Sequence, residues 1–488
     1  MISDLSLVSS LFLVLALGLA LAFEFVNGFH DTANAVATVI YTNSLRSTYA
    51  VIWSGFWNFL GVLTSNGAVA FGILGLLPVE LILNVGSAAG FAMVFSLLLS
   101  AIIWNLGTWY FGLPASSSHT LIGSILGVGL ANAMLRGGSE FGEGVNWAKA
   151  REVGASLLVS PLLGFAAAAL LLLAIKALVR RPELYGEPAP GKTPPLWVRA
   201  ILIVTCTGVS FAHGSNDGQK GMGLILLILI GILPGTYALN LQADRAALEE
   251  IVTTSRTASR TLRGANTANL PAAEAEARLS AFLKTNQAAS PETLLALSQV
   301  TDEIGATLNG KQSIGELTKT ARGKLRSQVY LVTEGISRVL TRNRLPEAEE
   351  LRRFRDELNP LTKYIPFWVK VAVALALGLG TMIGWERVVI TVGEKIGKSH
   401  LTYAQGAASE LVAATTIAAA DVAGLPVSTT HVLSSAVAGT MTANGSGLQM
   451  DTVRNLALAW LLTMPVCVFL GALLFALGLN IVVGLGLR

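Results

Sequence analysis

Two short segments of the chain repeat one another and carry the residue types of an oxyanion site. Residues 112–119 read Gly-Leu-Pro-Ala-Ser-Ser-Ser-His, and residues 424–431 read Gly-Leu-Pro-Val-Ser-Thr-Thr-His. A proline stops a helix from continuing through it and favours a new helix start. The hydroxyl run that follows then offers Ser116, Ser117 and Ser118, or Ser428, Thr429 and Thr430, beside the free N–H groups of a helix N-terminus. Donors and the helix dipole both point at an anion there. Two such segments facing each other would surround a tetrahedral anion. The blander reading, hydroxyls bonding back to helix carbonyls, suits one serine run better than two matching copies.

A second pair of motifs lies upstream. Residues 28–31 read Gly-Phe-His-Asp and residues 214–217 read Gly-Ser-Asn-Asp. Asp31 and Asp217 each sit between long apolar runs, where an ionisable group is expensive and is a functional candidate by default. An anion beside two carboxylates requires a cation, so coupling to protons, sodium or a metal is implied. Aligning the aspartates sets Asn34 opposite Lys220 and His30 opposite Asn216. The expectation is that Lys220 takes the place of a bound cation beside Asp217, and that Asp31 with His30 carries a proton, since histidine titrates near neutral pH. His119, His213 and His431 lie in or beside the motifs and are expected to orient the site. Glu24, Glu410 and Asp421 also lie in or near apolar runs. Glu410 and Asp421, which precede the second Gly-Leu-Pro segment, are secondary candidates for ion coupling.

These residues need a membrane scaffold. Of the 488 residues, 52% are hydrophobic and only 13% are charged, with a net charge of +4. Soluble domains average about 25% charged residues, so a soluble enzyme, a disordered chain and an ordinary nucleic-acid-binding protein are excluded. The charge is also unevenly spread. Residues 241–364 hold 33 charged residues in 124, an ordinary soluble fraction, and the other 364 hold 31. The chain therefore reads as three parts. Residues 1–240 carry a first repeat and the start of a second, 241–364 are a polar helical insert, and 365–488 complete the second repeat. Removing the insert leaves 85 positions from Asp217 to Pro426, against 83 from Asp31 to Pro114. Repeats of this kind place a transporter's substrate at the repeat interface near the midplane, often on broken helices.

Apolar runs long enough to span fall at about 5–26, 48–77, 91–113, 152–179, 198–212, 221–239, 366–385, 405–425 and 455–485. The first reads as a retained helix, because it lacks a basic leader region and a cleavage site. Basic residues cluster at Arg180, Arg181, Lys192 and Arg199 and through the insert, as in cytoplasmic loops. In the insert, Ser290-Pro291-Glu292 reads as a helix start. Leu317, Leu325 and Val329 recur at helical spacing. Cys206 and Cys467 lie in apolar runs and read as buried side chains, not as a disulfide framework or metal cage.

At the motifs the chain resembles the inorganic phosphate transporter (PiT) family, most closely its bacterial low-affinity, proton-coupled members. The resemblance runs from Phe25 to the last helix and is weakest in the insert. The segments that carry it are Asn27 to Ala35, Pro114 to Thr120, His213 to Gly221 and Pro426 to His431. It implies an all-α membrane protein with an inverted repeat and two re-entrant helical hairpins. It also implies phosphate held by Asp31, Asn34, Ser116, Ser117, Ser118, Thr120, Asn216, Asp217, Ser428, Thr429 and Thr430. The family pattern has Ala-Asn where this chain has Phe29-His30, and Ala-Asn or Ser-Asn where it has Gln219-Lys220. Those departures favour protons over sodium. Similar bacterial members carry phosphate as a neutral complex with a divalent metal, so Mg²⁺ or Ca²⁺ is expected as cargo, with no cofactor.

The expected protein is a symporter of the cell (inner) membrane working by alternating access. Its partners are inorganic phosphate, a proton or sodium, the lipid bilayer and a second copy in a homodimer, with no nucleic acid. Sulfate or another oxyanion is the alternative cargo, and sodium the alternative coupling ion. An intramembrane Ser-His hydrolase is disfavoured. Ser117 and His119 are two apart and point to different faces of a helix, and two symmetric copies would be unexplained. An anion channel would not need a pair of buried aspartates.

Overall fold

A computed structural model describes residues 6–31, 33–76, 87–135, 145–189, 191–237, 239–264, 268–284, 287–343 and 348–484, with the side chains of residues 33, 34, 88, 234, 235 and 284 outside the described set. Among the described residues the chain is helical, and its β content is one isolated bridge between Gly397 and Leu448. Among the described residues, six helices are long and apolar enough to cross a membrane, or up to eight if each of two bent pairs is one span.

The first half begins with α1 (Leu7–Asp31), α2 (Ala33–Tyr41), α3 (Ser47–Thr64) and α4 (Ala68–Leu74). It continues with α5 (Ala88–Tyr110), α6 (Ser117–Leu135) and α7 (Trp147–Leu178). The second half opens with α8 (Leu196–Ile232). After the insert come α9 (Phe367–Thr381), α10 (Glu386–Ile390) followed by a π-turn, α11 (Tyr403–Val422), α12 (Thr429–Asn444) and α13 (Met450–Gly484).

The Gly-Leu-Pro segments join two antiparallel-type pairs, α5 to α6 and α11 to α12. Both joints are built alike. Gly112 and Gly424 have φ of +65° and +66°, the left-handed region that favours glycine. At the first joint, Gly112 N–H donates to the Trp109 carbonyl and Leu113 N–H to that of Thr108. At the second, Gly424 N–H donates to Asp421 and Leu425 N–H to Ala420. Both follow the glycine-stopped helix end, which satisfies the last carbonyls. The next helix then starts on a serine. Ser116 Oγ accepts from His119 N–H at 3.2 Å, and Ser428 Oγ accepts from His431 N–H at 3.1 Å. The glycine, leucine, first serine and histidine of the repeated motif thus each have a backbone role.

The halves also pack on each other in exchanged pairs. Helix α6 packs on α13, and α7 packs on α12. Glycines bring these backbones together, as small residues do in membranes. A Cβ on Gly127 would lie 2.1 Å from the Val468 carbonyl oxygen, and one on Gly439 would lie 2.2 Å from that of Phe165. The motif helices follow the same rule. A Cβ on Gly28 would lie 2.4 Å from the Leu377 carbonyl, and one on Gly214 would lie 2.1 Å from that of Asn58. So α1 of the first half is clasped by α9 of the second, and α8 by α3.

One expectation is corrected. The apolar runs 198–212 and 221–239 are not two spans divided by the motif. They lie largely in one continuous helix, α8, and Asp217 is in its middle. Asp31 lies within the apolar span Leu7–Tyr41.

Residues Leu229–Tyr364 form a separate compact unit. Its helices are amphipathic around their own core, which includes Leu297, Leu325, Val329 and Phe354. Ser290 caps the helix Pro291–Leu308 by accepting from Thr293 N–H at 3.2 Å, with Pro291 at its first position. Acidic and basic residues become frequent at 241, whereas the packing boundary falls earlier, at Leu229.

Candidate functional site

The site lies where the end of α1, the middle of α8 and the starts of α6 and α12 meet. The sequence explains why they can meet. Gly28 and Gly214, one turn before each aspartate, remove the side chains that would hold α1 and α8 away from their neighbours.

Asp31 is 2% exposed and Asp217 fully buried. Asp31 Oδ1 accepts from Thr430 Oγ1 at 2.5 Å, and its Oδ2 accepts from Ser117 Oγ at 3.2 Å. Ser117 Oγ is also 3.4 Å from Asp217 Oδ2. One hydroxyl at the start of α6 therefore touches both motif aspartates, while a hydroxyl at the start of α12 holds the first. Lys220, itself buried, reaches back one turn and places Nζ 2.6 Å from Asp217 Oδ2 and 3.2 Å from Ser117 Oγ. His213 Nε2 stands between the carboxylates, 3.8 Å from Asp31 Oδ2 and 3.4 Å from Asp217 Oδ2. Its Nδ1 is 2.7 Å from Asn58 Oδ1, which fixes Nδ1 as the donor.

His30 carries its own proton logic. Its Nε2 is 3.0 Å from Thr108 Oγ1, and that hydroxyl donates to the helix carbonyls of Trp104 and Asn105. His30 Nδ1 faces Asp31 Oδ1 at 3.2 Å. The imidazole is therefore held at both nitrogens, between the Thr108 hydroxyl and the Asp31 carboxyl, and a proton on Nδ1 is shared with Asp31.

The other motif hydroxyls have different places. Ser116 and Ser428 are the helix caps described above. Ser118 Oγ donates to the Val427 carbonyl at 2.6 Å, which ties the first hairpin to the second. Thr120 Oγ1 is engaged with Asn105 Oδ1 at 3.0 Å and the Ser116 carbonyl at 2.8 Å. Asn216 Nδ2 donates to the Leu425 carbonyl at 3.2 Å. The Asn34 side chain lies outside the described residues.

Several buried polar atoms at this centre have no hydrogen-bond partner among the described residues. They include the acceptors Asp217 Oδ1 and Asn216 Oδ1 and the hydroxyl of Thr429. The two motif histidines add His119 Nδ1 and His431 Nε2. Their rings lie 4.7 Å apart, and His431 stacks on Trp460 at 4.2 Å. A buried unpaired polar atom is unfavourable unless a ligand or water satisfies it, so unpaired donors and acceptors mark a binding place.

Glu410 is also buried, but its described partners are the hydroxyls of Thr38 and Thr205, away from the motif side chains. Asp421 Oδ1 accepts from Gln219 at 2.5 Å and Oδ2 from Ser215 at 2.6 Å, so it pins the end of α11 to α8. Reading the sequence singled out neither Asn105 nor Thr108, which support the site from α5. Their signal is two polar residues a turn apart in an otherwise apolar run.

Buried aspartates and hydroxyls within a bundle of long apolar helices mark a multi-pass membrane protein of the transporter class. The chain belongs to the Phosphate transporter family, which it matches over residues 27–471. It is 42% identical to the low-affinity inorganic phosphate transporter PitA of Escherichia coli K12, covering 98% of this chain and 99% of that one. It is 40% identical to PitB of the same strain over the same shares. A Bacillus subtilis protein described as a probable low-affinity inorganic phosphate transporter is 26% identical over 97% of this chain and 98% of its own. These relatives are transporters, and the chain is not an enzyme. The fold is similar to a solved structure titled "The sodium-dependent phosphate transporter", with a TM-score of 0.52 and 20% identity over 96% of this chain and 98% of that one.

Proposed function

We propose that the chain is a secondary active symporter of inorganic phosphate in the cell membrane, coupled to protons and working by alternating access. The observation that carries this reading is the meeting of Asp31, Asp217, Ser117 and Thr430 at one buried point. Two helix N-termini supply donors and positive dipole ends for the anion. The acceptors Asp217 Oδ1 and Asn216 Oδ1 suit a ligand that also donates. Hydrogen phosphate has a P–OH group, whereas sulfate offers acceptors only, so the mixed lining favours phosphate.

Lys220 supports proton coupling. Its ammonium occupies the place beside Asp217 that a bound cation would otherwise fill. The His30–Asp31 contact supplies an imidazole and a carboxyl through which that proton can be carried. Asp31, His213 and Asp217 present ligand atoms within 4.8 Å of one another. Because Lys220 already neutralises one carboxylate, a divalent cation travels as part of the cargo, as a neutral Mg²⁺ or Ca²⁺ phosphate. The matching hairpins and exchanged helix pairs support an inverted repeat in which the two halves alternate around a fixed site.

Uptake of labelled phosphate into liposomes against excess sulfate tests the choice of anion. Sulfate should leave uptake nearly unchanged. Full competition by sulfate would overturn it.

A further inference from the structure

Glu24 lies on α1, and with Asn27 and Asp31 it follows the spacing of one helix face. It is fully buried, and no cation among the described residues stands within ion-pair distance of it. Its Oε1 faces the Gly221 backbone without a well-formed hydrogen bond, and its Oε2 has only a long contact of 3.5 Å from Asn27 Nδ2. Asn27 Oδ1 is also unpaired. The neighbouring backbone is pressed against this carboxyl. A Cβ on Gly221 would lie 2.2 Å from Glu24 Cγ and 2.6 Å from Oε1. The charged groups that face Glu24 are Lys220 and Asp217 of α8, and these are already paired with each other.

The contrast with Asp31 is informative. Asp31 accepts from the hydroxyls of Ser117 and Thr430, which favour the carboxylate, and faces the imidazoles of His30 and His213. Glu24 has no comparable set. A carboxylate buried in a membrane with only weak donors and no cation of its own is favoured as the neutral acid. Glu24 also breaks the repeat. The residue aligned with it in the second half is Ser210, just as Lys220 is aligned with Asn34. The two charged departures from the repeat are adjacent in space, since Glu24 touches the residue after Lys220.

We propose that Glu24 is a second proton-binding group of the transport cycle, loaded and unloaded separately from the His30–Asp31 pair. The inference rests on the proton-coupled reading above. In the state described here the proton sits on the Glu24 carboxyl. When the bundle rearranges and water reaches Glu24 from the other side, the proton leaves to that water. The ionised Glu24 then lies beside Lys220, which can neutralise it as Asp217 is released to the substrate.

The test is phosphate accumulation in liposomes at a fixed pH gradient, with the membrane potential clamped at zero. Each coupled proton raises the limiting accumulation about tenfold per pH unit. Glu24→Gln should therefore lower accumulation about tenfold per pH unit while phosphate–phosphate exchange persists. Accumulation equal to wild type would overturn the inference, and so would loss of exchange in a folded, monodisperse variant. Should Glu24→Gln fail to fold, Glu24→Asp decides, because it keeps the carboxyl but withdraws it. A displaced pH profile of uptake supports the inference, and an unchanged one overturns it. A wild-type protein whose accumulation ignores the pH gradient would contradict the proton-coupled reading itself.

Discussion

Replacing Lys220 with methionine should reduce phosphate uptake by about a hundredfold or more, because removing one partner of a buried pair costs about 3–5 kcal/mol. Asp217 would be left buried with only His213 and the Ser117 hydroxyl beside it, and Ser117 would lose the ammonium that it accepts from. The charge must then be neutralised by a proton taken from solution, or the helices must part. Removing both partners in Asp217→Asn/Lys220→Met should recover folding, since no unpaired charge remains, but not uptake. Lys220→Asn restores the residue type of the first half and separates the two roles of the ammonium. In sodium-free buffer it should lose proton-driven uptake. An unchanged rate and pH profile for Lys220→Asn would contradict the role given to Lys220.

The second large effect concerns the scaffold. Gly127→Leu should sharply lower the yield of monodisperse protein and its thermal midpoint. The first added atom alone would stand 2.1 Å from the Val468 carbonyl oxygen, and backbone cannot swing aside as a flexible side chain can. Overpacking typically costs about 1–3 kcal/mol and occasionally more, and a clash with backbone belongs at the upper end. Gly439→Leu should reproduce the defect in the second half, where the obstacle is the Phe165 carbonyl at 2.2 Å. Gly107→Ala is the control, because nothing lies within 4 Å of a Cβ there. It should be neutral or slightly stabilising, as alanine is the better helix former by about 1 kcal/mol. Comparable behaviour of Gly127→Leu and Gly107→Ala would show that the exchanged packing of α6 on α13 does not hold the halves together.

Much of this architecture is legible in the residues. The two Gly-Leu-Pro segments announce the helix joints, and the glycine, leucine, first serine and histidine have the same backbone role at both. The charge distribution exposes the insert. Other features are not legible, for physical reasons. Hydropathy falls across His213 to Lys220, so α8 reads as two runs. The helix continues because those polar side chains are satisfied by Asn58, Ser117 and Asp421 from distant parts of the chain. A run of three hydroxyls does not reveal which one caps the helix, which one crosses to the other hairpin and which one meets the aspartates. That division follows from helix geometry once the start is fixed at Ser117 or Thr429. Glu24 is a single carboxyl in an apolar run, and only its contact with Gly221 ties it to the motif centre.

Proton coupling rests on Lys220 standing beside Asp217 and on the contact of His30 with Asp31. The most direct measurement is uptake of labelled phosphate by the purified protein in liposomes, with Mg²⁺ present and sodium absent, under an outside-acid pH gradient. Accumulation that collapses when the gradient is dissipated, and that added sodium does not raise, is the predicted result. Accumulation that appears only when sodium is supplied would contradict it.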